Sequence, residues 1–140
     1  MALKGIVLIL LTLLLVSKTS ANTDLNTSTV VWHTELQSAL VLAKKEHKNV
    51  IVMVGEDNCR WCVKMKKQTL SKSCVQKKLQ NYVLVSVKRS DKYAIKNLQD
   101  FDGIIPSFFF MQANEEPLDS IVGYFTADDF LRYIEEVEEE

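Results

Sequence analysis

The chain has 140 residues, 47% of them hydrophobic and 25% charged, with 17 Lys+Arg against 18 Asp+Glu for a net charge of -1. That length suits one domain, and four Gly, two Pro and three Cys exclude collagen-like, low-complexity and disulfide-dense scaffolds. A charge so close to zero leaves no electrostatic case for a nucleic-acid partner.

The apolar residues are unevenly spread. Met1 to Ala21 carries only Lys4 and Lys18 as charges, and Ile6 to Val16 is aliphatic except for Thr12. Such a run at about 1.5 Å per residue covers roughly half of a bilayer's hydrocarbon core. Lys4 supplies a positive start, and Thr19-Ser20-Ala21 supplies the small residues of a cleavage site. Residues 1–21 therefore read as a secretory signal peptide; an uncleaved anchor or a buried core helix are the alternatives. Removal of the leader leaves an exported chain with no stable membrane insertion. The expected compartment is the periplasm, or the endoplasmic reticulum lumen or the exterior if the source is eukaryotic. In all of these, disulfides form and persist.

Residues 22–31 are rich in Thr, Ser and Asn and read as a flexible lead-in to a domain over 32–140. Leu36, Ala39, Leu40 and Ala43 follow helical spacing, with Lys44, Lys45 and Lys48 at the C-terminal end, where cations suit the helix dipole. Val50 to Val54 is apolar on both faces, as in a central strand covered on both sides. A helical stretch from Cys59 to about Leu70 follows. A second helix over Lys72–Asn81 has Cys74 on its apolar face, where core packing is expected. Tyr82–Lys88 reads as a strand and Asp91–Asp100 as a helix. Ser107–Met111 and Ser120–Val122 flank a turn at Asn114–Pro117, suggesting a hairpin. Ala127–Glu140 closes the chain as a helix capped by Thr126, Asp128 and Asp129, with an acidic tail expected to fray. His33 and His47 read as surface helix residues, and Met53, Met65 and Met111 as filler rather than copper ligands. Helices alternating with strands before a closing hairpin point to an α/β layered sheet of mixed direction.

Cys59-Arg60-Trp61-Cys62 carries the obvious chemistry. A strand passes into a helix there, so free N–H groups and the dipole would stabilise a Cys59 thiolate and bring a thiol pKa of about 8.5 toward neutrality. Cys62 lies one turn later on the same face, within reach of a mixed disulfide on Cys59. Two other uses of the pair stand beside this one. A zinc site needs further ligands, and only Cys74, His33 and His47 remain to supply them. A structural staple closing so short a loop would constrain the unfolded chain little.

On these residues the chain resembles the thioredoxin-fold family, in particular its exported thioredoxin-related members, from Trp32 to Val137. Trp32, Leu36, Ala39, Leu40, Ala43, Lys44 and Lys45 match an opening-helix pattern W-x-x-x-L-x-x-A-L-x-x-A-K-K. Cys59 and Cys62 match the active-site pair. Gly103 to Phe108 resembles a G-I-x-x-I-P-T segment whose proline is cis and faces that pair, and Val122-Gly123 matches the last strand and turn. The resemblance implies an α/β thioredoxin-like fold, a central mixed sheet flanked by helices in a single domain. It also implies thiol–disulfide exchange through a redox-active Cys59–Cys62 disulfide, with Cys59 as nucleophile, Cys62 as resolving thiol and Pro106 as substrate-loop residue. The Ile105 backbone could pair with an extended substrate, and Trp61 could form an apolar docking surface.

The departures are specific. The family's buried Asp, six residues before the first Cys, is Met53; the preceding aromatic is Asn58; Arg60-Trp61 replaces Gly-Pro. Without that carboxylate, Cys62 would lose its proton to water, to Glu56 or unassisted. Arg60 favours a Cys59 thiolate, whereas Glu56 and Asp57 oppose it. Ile105 before Pro106 resembles reducing thioredoxins and inclines the reading to a reductant of protein disulfides. The chain would act as a monomer without cofactor or metal, supplied by an unidentified upstream thiol donor or acceptor. An oxidase or isomerase-type partner is the alternative within the class, and a metal- or thiol-binding chaperone the alternative outside it.

Overall fold

The computed structural model describes residues 29–140; the expected leader and most of the lead-in lie outside the described residues. The elements in order are β1 (Trp32–His33), α1 (Leu36–Glu46), β2 (Val50–Gly55), α2 (Arg60–Met65), a π-helical turn (Lys66–Leu70), α3 (Ser73–Leu79), β3 (Val83–Lys88), α4 (Lys92–Ile95), β4 (Ser107–Met111), β5 (Pro117–Val122) and α5 (Ala127–Glu139). They form one domain around a mixed five-stranded sheet of order β1-β3-β2-β4-β5. β1, β3 and β2 run parallel, while β4 runs antiparallel to β2 and β5 antiparallel to β4.

Strand alternation divides the apolar residues between two cores, because successive side chains point to opposite faces. Val50, Val52 and Val54 of β2 join Val83, Val85 and Val87 of β3 and Phe109 and Met111 of β4 beneath Leu36, Ala39, Leu40 and Ala43 of α1. Ile51 and Met53 join Leu84, Phe108 and Phe110 on the other face, under Met65, Leu70, Val75, Leu79 and Phe130. β2 is therefore apolar throughout because helices cover both its faces.

Several local expectations need correction. His33 lies in β1, an edge strand of two residues, rather than in a helix. His47 is the left-handed residue that ends α1, its N–H donating to the Ala43 carbonyl. The expected helix over Asp91–Asp100 keeps only Lys92–Ile95 as α-helix, and Asp100 adopts a φ of 61°. β5 begins at Pro117, with a register shift between Phe110 and Met111. The acidic tail is helical to Glu139, with Val137 buried and Glu138 bonded to Lys78 and Tyr82, contacts that work against the expected fraying. Cys74 is free and exposed. Val75 and Leu79, four apart, set the buried face of α3, and Cys74 falls about 100° away from Val75 around the helix.

The π-helical turn also has a packing cause. Met65 and Leu70 are both buried although five residues apart, a spacing that an α-helix would splay by about 140°. Widening the turn brings both inward. Thr69, buried in the same turn, donates its hydroxyl to the Phe125 carbonyl and so fastens this segment to the entry of α5.

Candidate active site

β2 ends at Gly55, and the chain turns through Glu56, Asp57 and Asn58 into α2. Cys59 is the N-cap of that helix, and its Sγ accepts the Cys62 backbone N–H at 3.0 Å. Cys59 and Cys62 form a disulfide with Cα atoms 5.2 Å apart. Cys59 is half-buried, whereas Cys62 is only 2% exposed. The two sulfurs are thus chemically unequal. The outer one is approachable by a second protein and sits where backbone N–H groups stabilise a thiolate; the inner one is shielded.

The floor beneath the pair is apolar. A Cβ on Gly55 would lie 3.4 Å from Cys62 Sγ and 3.9 Å from Met53 Cε, so the absent side chain lets the inner sulfur settle onto the strand end. Met53 is 1% exposed and faces Ser86 on one side and Phe108 on the other in the strand register. The Glu56 carboxylate is engaged by backbone N–H groups. Its oxygens accept the Ser90 and Asp57 backbone N–H groups at 3.1 and 3.2 Å. Hydrogen bonding from Ser90, then from the Asp57 backbone, holds its carboxyl below the usual carboxylate range. Asp57 pairs with Lys88 at 2.7 Å, which offsets its opposition to a Cys59 thiolate.

The loop before β4 approaches from the other side. The Ile105–Pro106 peptide is cis, and the Pro106 carbonyl accepts the Gly123 N–H at 2.7 Å. Gly123, at φ 110°, occupies a conformation that a side chain would strain. Neither backbone group of Ile105 is hydrogen-bonded among the described residues. Cys59, Ile105 and Tyr124 all border the apolar cluster that contains Cys62, so the fold gathers residues far apart in sequence around one disulfide.

Trp61 projects outward, 51% exposed, and meets Tyr124 at a ring-centroid distance of 5.9 Å. Lys64 Nζ lies 4.7 Å from the Trp61 centroid and 4.2 Å from that of Tyr124, close enough for cation–π attraction to both rings. Sequence reasoning missed Lys64 and Tyr124. The i,i+3 spacing of Trp61 and Lys64 was the available signal; the distant Tyr124 left none. Met53, Met65 and Met111 are all buried, and Met111 lies across the sheet from the other two. Among the described residues no group of three or more His, Cys, Asp or Glu is placed to hold a metal ion. No helix among them is long and apolar enough to cross a membrane.

Comparison with known proteins agrees with this geometry. The family model described as a thioredoxin-like domain matches residues 36–138. Among solved structures, the DsbH oxidoreductase superposes with a TM-score of 0.67 at 17% identity, covering 80% of this chain and 86% of that one. A thioredoxin from Thermus thermophilus gives 0.66 at 20% identity, over 78% of this chain and 87% of its own. The oxidised C-terminal domain of DsbD from Neisseria meningitidis gives 0.62 at 20% identity, over 76% and 98%. No curated protein matches the chain by sequence.

Proposed function

The chain belongs to the thioredoxin-like domain family, and on that premise we propose that it is an exported thiol–disulfide oxidoreductase that reduces protein disulfides through Cys59 and Cys62. The observation that carries this reading is the inequality of the two sulfurs: Cys59 accessible at the N-cap of α2, and Cys62 buried one turn below it. In the reduced protein the Cys59 thiolate attacks one sulfur of a substrate disulfide. The substrate bond breaks, a mixed disulfide forms and the other substrate sulfur leaves as a thiolate. Cys62, deprotonated by solvent, then attacks Cys59 Sγ. The second substrate thiolate is released, and the Cys59–Cys62 disulfide takes up the oxidation. An upstream dithiol restores the pair. In this reading the unpaired Ile105 backbone beside Pro106 receives an extended substrate strand, and Trp61 lines the approach. In this reading residues 1–21 are the cleaved leader and 22–31 the lead-in to the domain.

Insulin reduction coupled to a dithiol tests the reading. Wild type should turn over, Cys59→Ser should be inert, and Cys62→Ser should accumulate a mixed disulfide. A wild-type protein that is inert yet retains stoichiometric metal through dialysis would overturn it. A reduction potential near about -270 mV would support a reductant, and one near about -120 mV an oxidant.

A further inference from the structure

The near-neutral total hides a steep internal polarity. Between Asn58 and Asn81 the sequence holds seven Lys and Arg side chains and no Asp or Glu. From Asn114 to Glu140 it holds ten Asp and Glu against Arg132 alone. The cationic half begins at the first residue after Cys59. Arg60, Lys64 and Lys67 follow i, i+4, i+7 spacing, which places them along one side of the α2 and π-helical segment. Together with Trp61, Val63 and Gln68 they line a shallow depression of about 350 Å³. Its apolar parts are open to solvent: Trp61 is 51% and Val63 43% exposed. Among the described residues none of its three cations pairs with a carboxylate. Lys64 is held in place by the Trp61 and Tyr124 rings, and Tyr124 is held in turn by its hydroxyl bond to Gln68 at 3.2 Å.

We infer that this depression docks an acidic segment flanking the substrate's disulfide, with an apolar or aromatic side chain against Trp61 and Val63 and carboxylates against Arg60, Lys64 and Lys67. The inference rests on the exchange reading and names the substrate class for the same site. Charge complementarity selects the occupant. Unpaired cations around an apolar floor attract carboxylates and speed encounter, and they repel a basic segment. Their position beside Cys59 means that the docked segment delivers its neighbouring disulfide to the outer sulfur.

The test uses the reduced protein and two synthetic peptides with the same disulfide and the same adjacent aromatic, one flanked by Glu and the other by Lys. A small neutral disulfide serves as reference. At low salt the acidic peptide should react roughly tenfold faster than the basic one, and the ratio should shrink as salt screens the charges. Lys67→Glu should lower that ratio several-fold. Lys44→Glu, the same charge change on α1 across the sheet, should leave the ratio in place. Equal rates for the two peptides would overturn the inference, as would an equal loss of preference in both variants. Equal peptide rates combined with retention on phosphatidylserine vesicles would assign the cations to a lipid surface instead. Failure to exchange even with the neutral disulfide would overturn the exchange reading itself, a result distinct from loss of charge preference.

Discussion

Replacing Met53 by Asp restores the carboxylate that thioredoxin resemblance led one to expect beneath the inner sulfur, and the structure says what this does. Met53 is 1% exposed, packed in the cluster that contains Cys62, Met65 and Phe108. Losing its burial costs about 1.5–3 kcal/mol at any pH. The carboxyl adds a pH-dependent part. Burial raises its folded pKa above the unfolded value of about 3.9, so the variant keeps its stability below that value and loses it as pH rises toward the folded pKa. If the group stays neutral in the folded state, the loss reaches about 4 kcal/mol at pH 7 but only about 1.5 kcal/mol at pH 5. That difference, about 2.5 kcal/mol, is a ceiling. Lys66 lines the cavity of about 570 Å³ beside Met53, and a cation near the carboxyl lowers its pKa and with it this difference. Urea unfolding of oxidised wild type, Met53→Asp and Met53→Leu at the two pH values reads both parts. Met53→Leu, a volume-conserving change, should cost under about 1.5 kcal/mol with no pH dependence. A Met53→Asp penalty no larger than that of Met53→Leu would refute the buried, carboxylate-free floor. The same comparison carries a kinetic readout: above the folded pKa of the carboxyl, where it is ionised and can act as a base, Cys62 should release substrate faster in Met53→Asp than in Met53→Leu.

Other perturbations address the frame around the site. Phe108 is fully buried and its ring centroid lies 5.0 Å from that of Phe130, so Phe108→Ala should cost about 3–5 kcal/mol. A fall in the urea midpoint at unchanged slope would show it, and a cost under about 1 kcal/mol would contradict the packing. Burial acts to raise the Glu138 pKa, but hydrogen bonds from Lys78 and Tyr82 outweigh it and hold the carboxyl below its ordinary 4.5. The carboxylate therefore supports the α3–α5 contact fully above that value and loses its contribution as pH falls through the lower folded pKa. Glu138→Gln should cost less than about 1 kcal/mol at neutral pH, since the pair is partly exposed. The gap from wild type should close on acidification, and a gap that widened would reverse the assignment. In the oxidised protein iodoacetamide should label Cys74 under native conditions, as its exposure requires, and Cys74→Ser should abolish the signal. Labelling that waited for denaturant would place Cys74 in the core after all.

Elements that bury a repeating face were legible before any coordinates. Leu36, Ala39, Leu40 and Ala43 announce α1, and the unbroken apolar run Val50–Val54 announces a strand covered on both sides, because both signals come from burial itself. The Cys59–Cys62 spacing was equally legible, since it follows from the chemistry of exchange. What escaped depends on where a chain is tied rather than on its pattern. β1 is too short to show a period of two. The π-helical turn exists to bury both Met65 and Leu70, and Cys74 is exposed because Val75 and Leu79 choose the inward face of α3. Trp61 shows the limit most clearly. Beside the cysteines it read as an apolar docking surface, and its further consequence depends on Tyr124 arriving from the turn after β5 to fix Lys64 between two rings. A cation that freely rotating bonds would leave in solvent is thereby held at the rim of the approach to Cys59. Net charge, which excluded nucleic acid by its average, gave no sign of this, because the acidic stretch from Asn114 onward cancels the seven cations that follow Asn58 in the sum, although among the described residues Lys78 alone of the seven meets one of its carboxylates, that of Glu138.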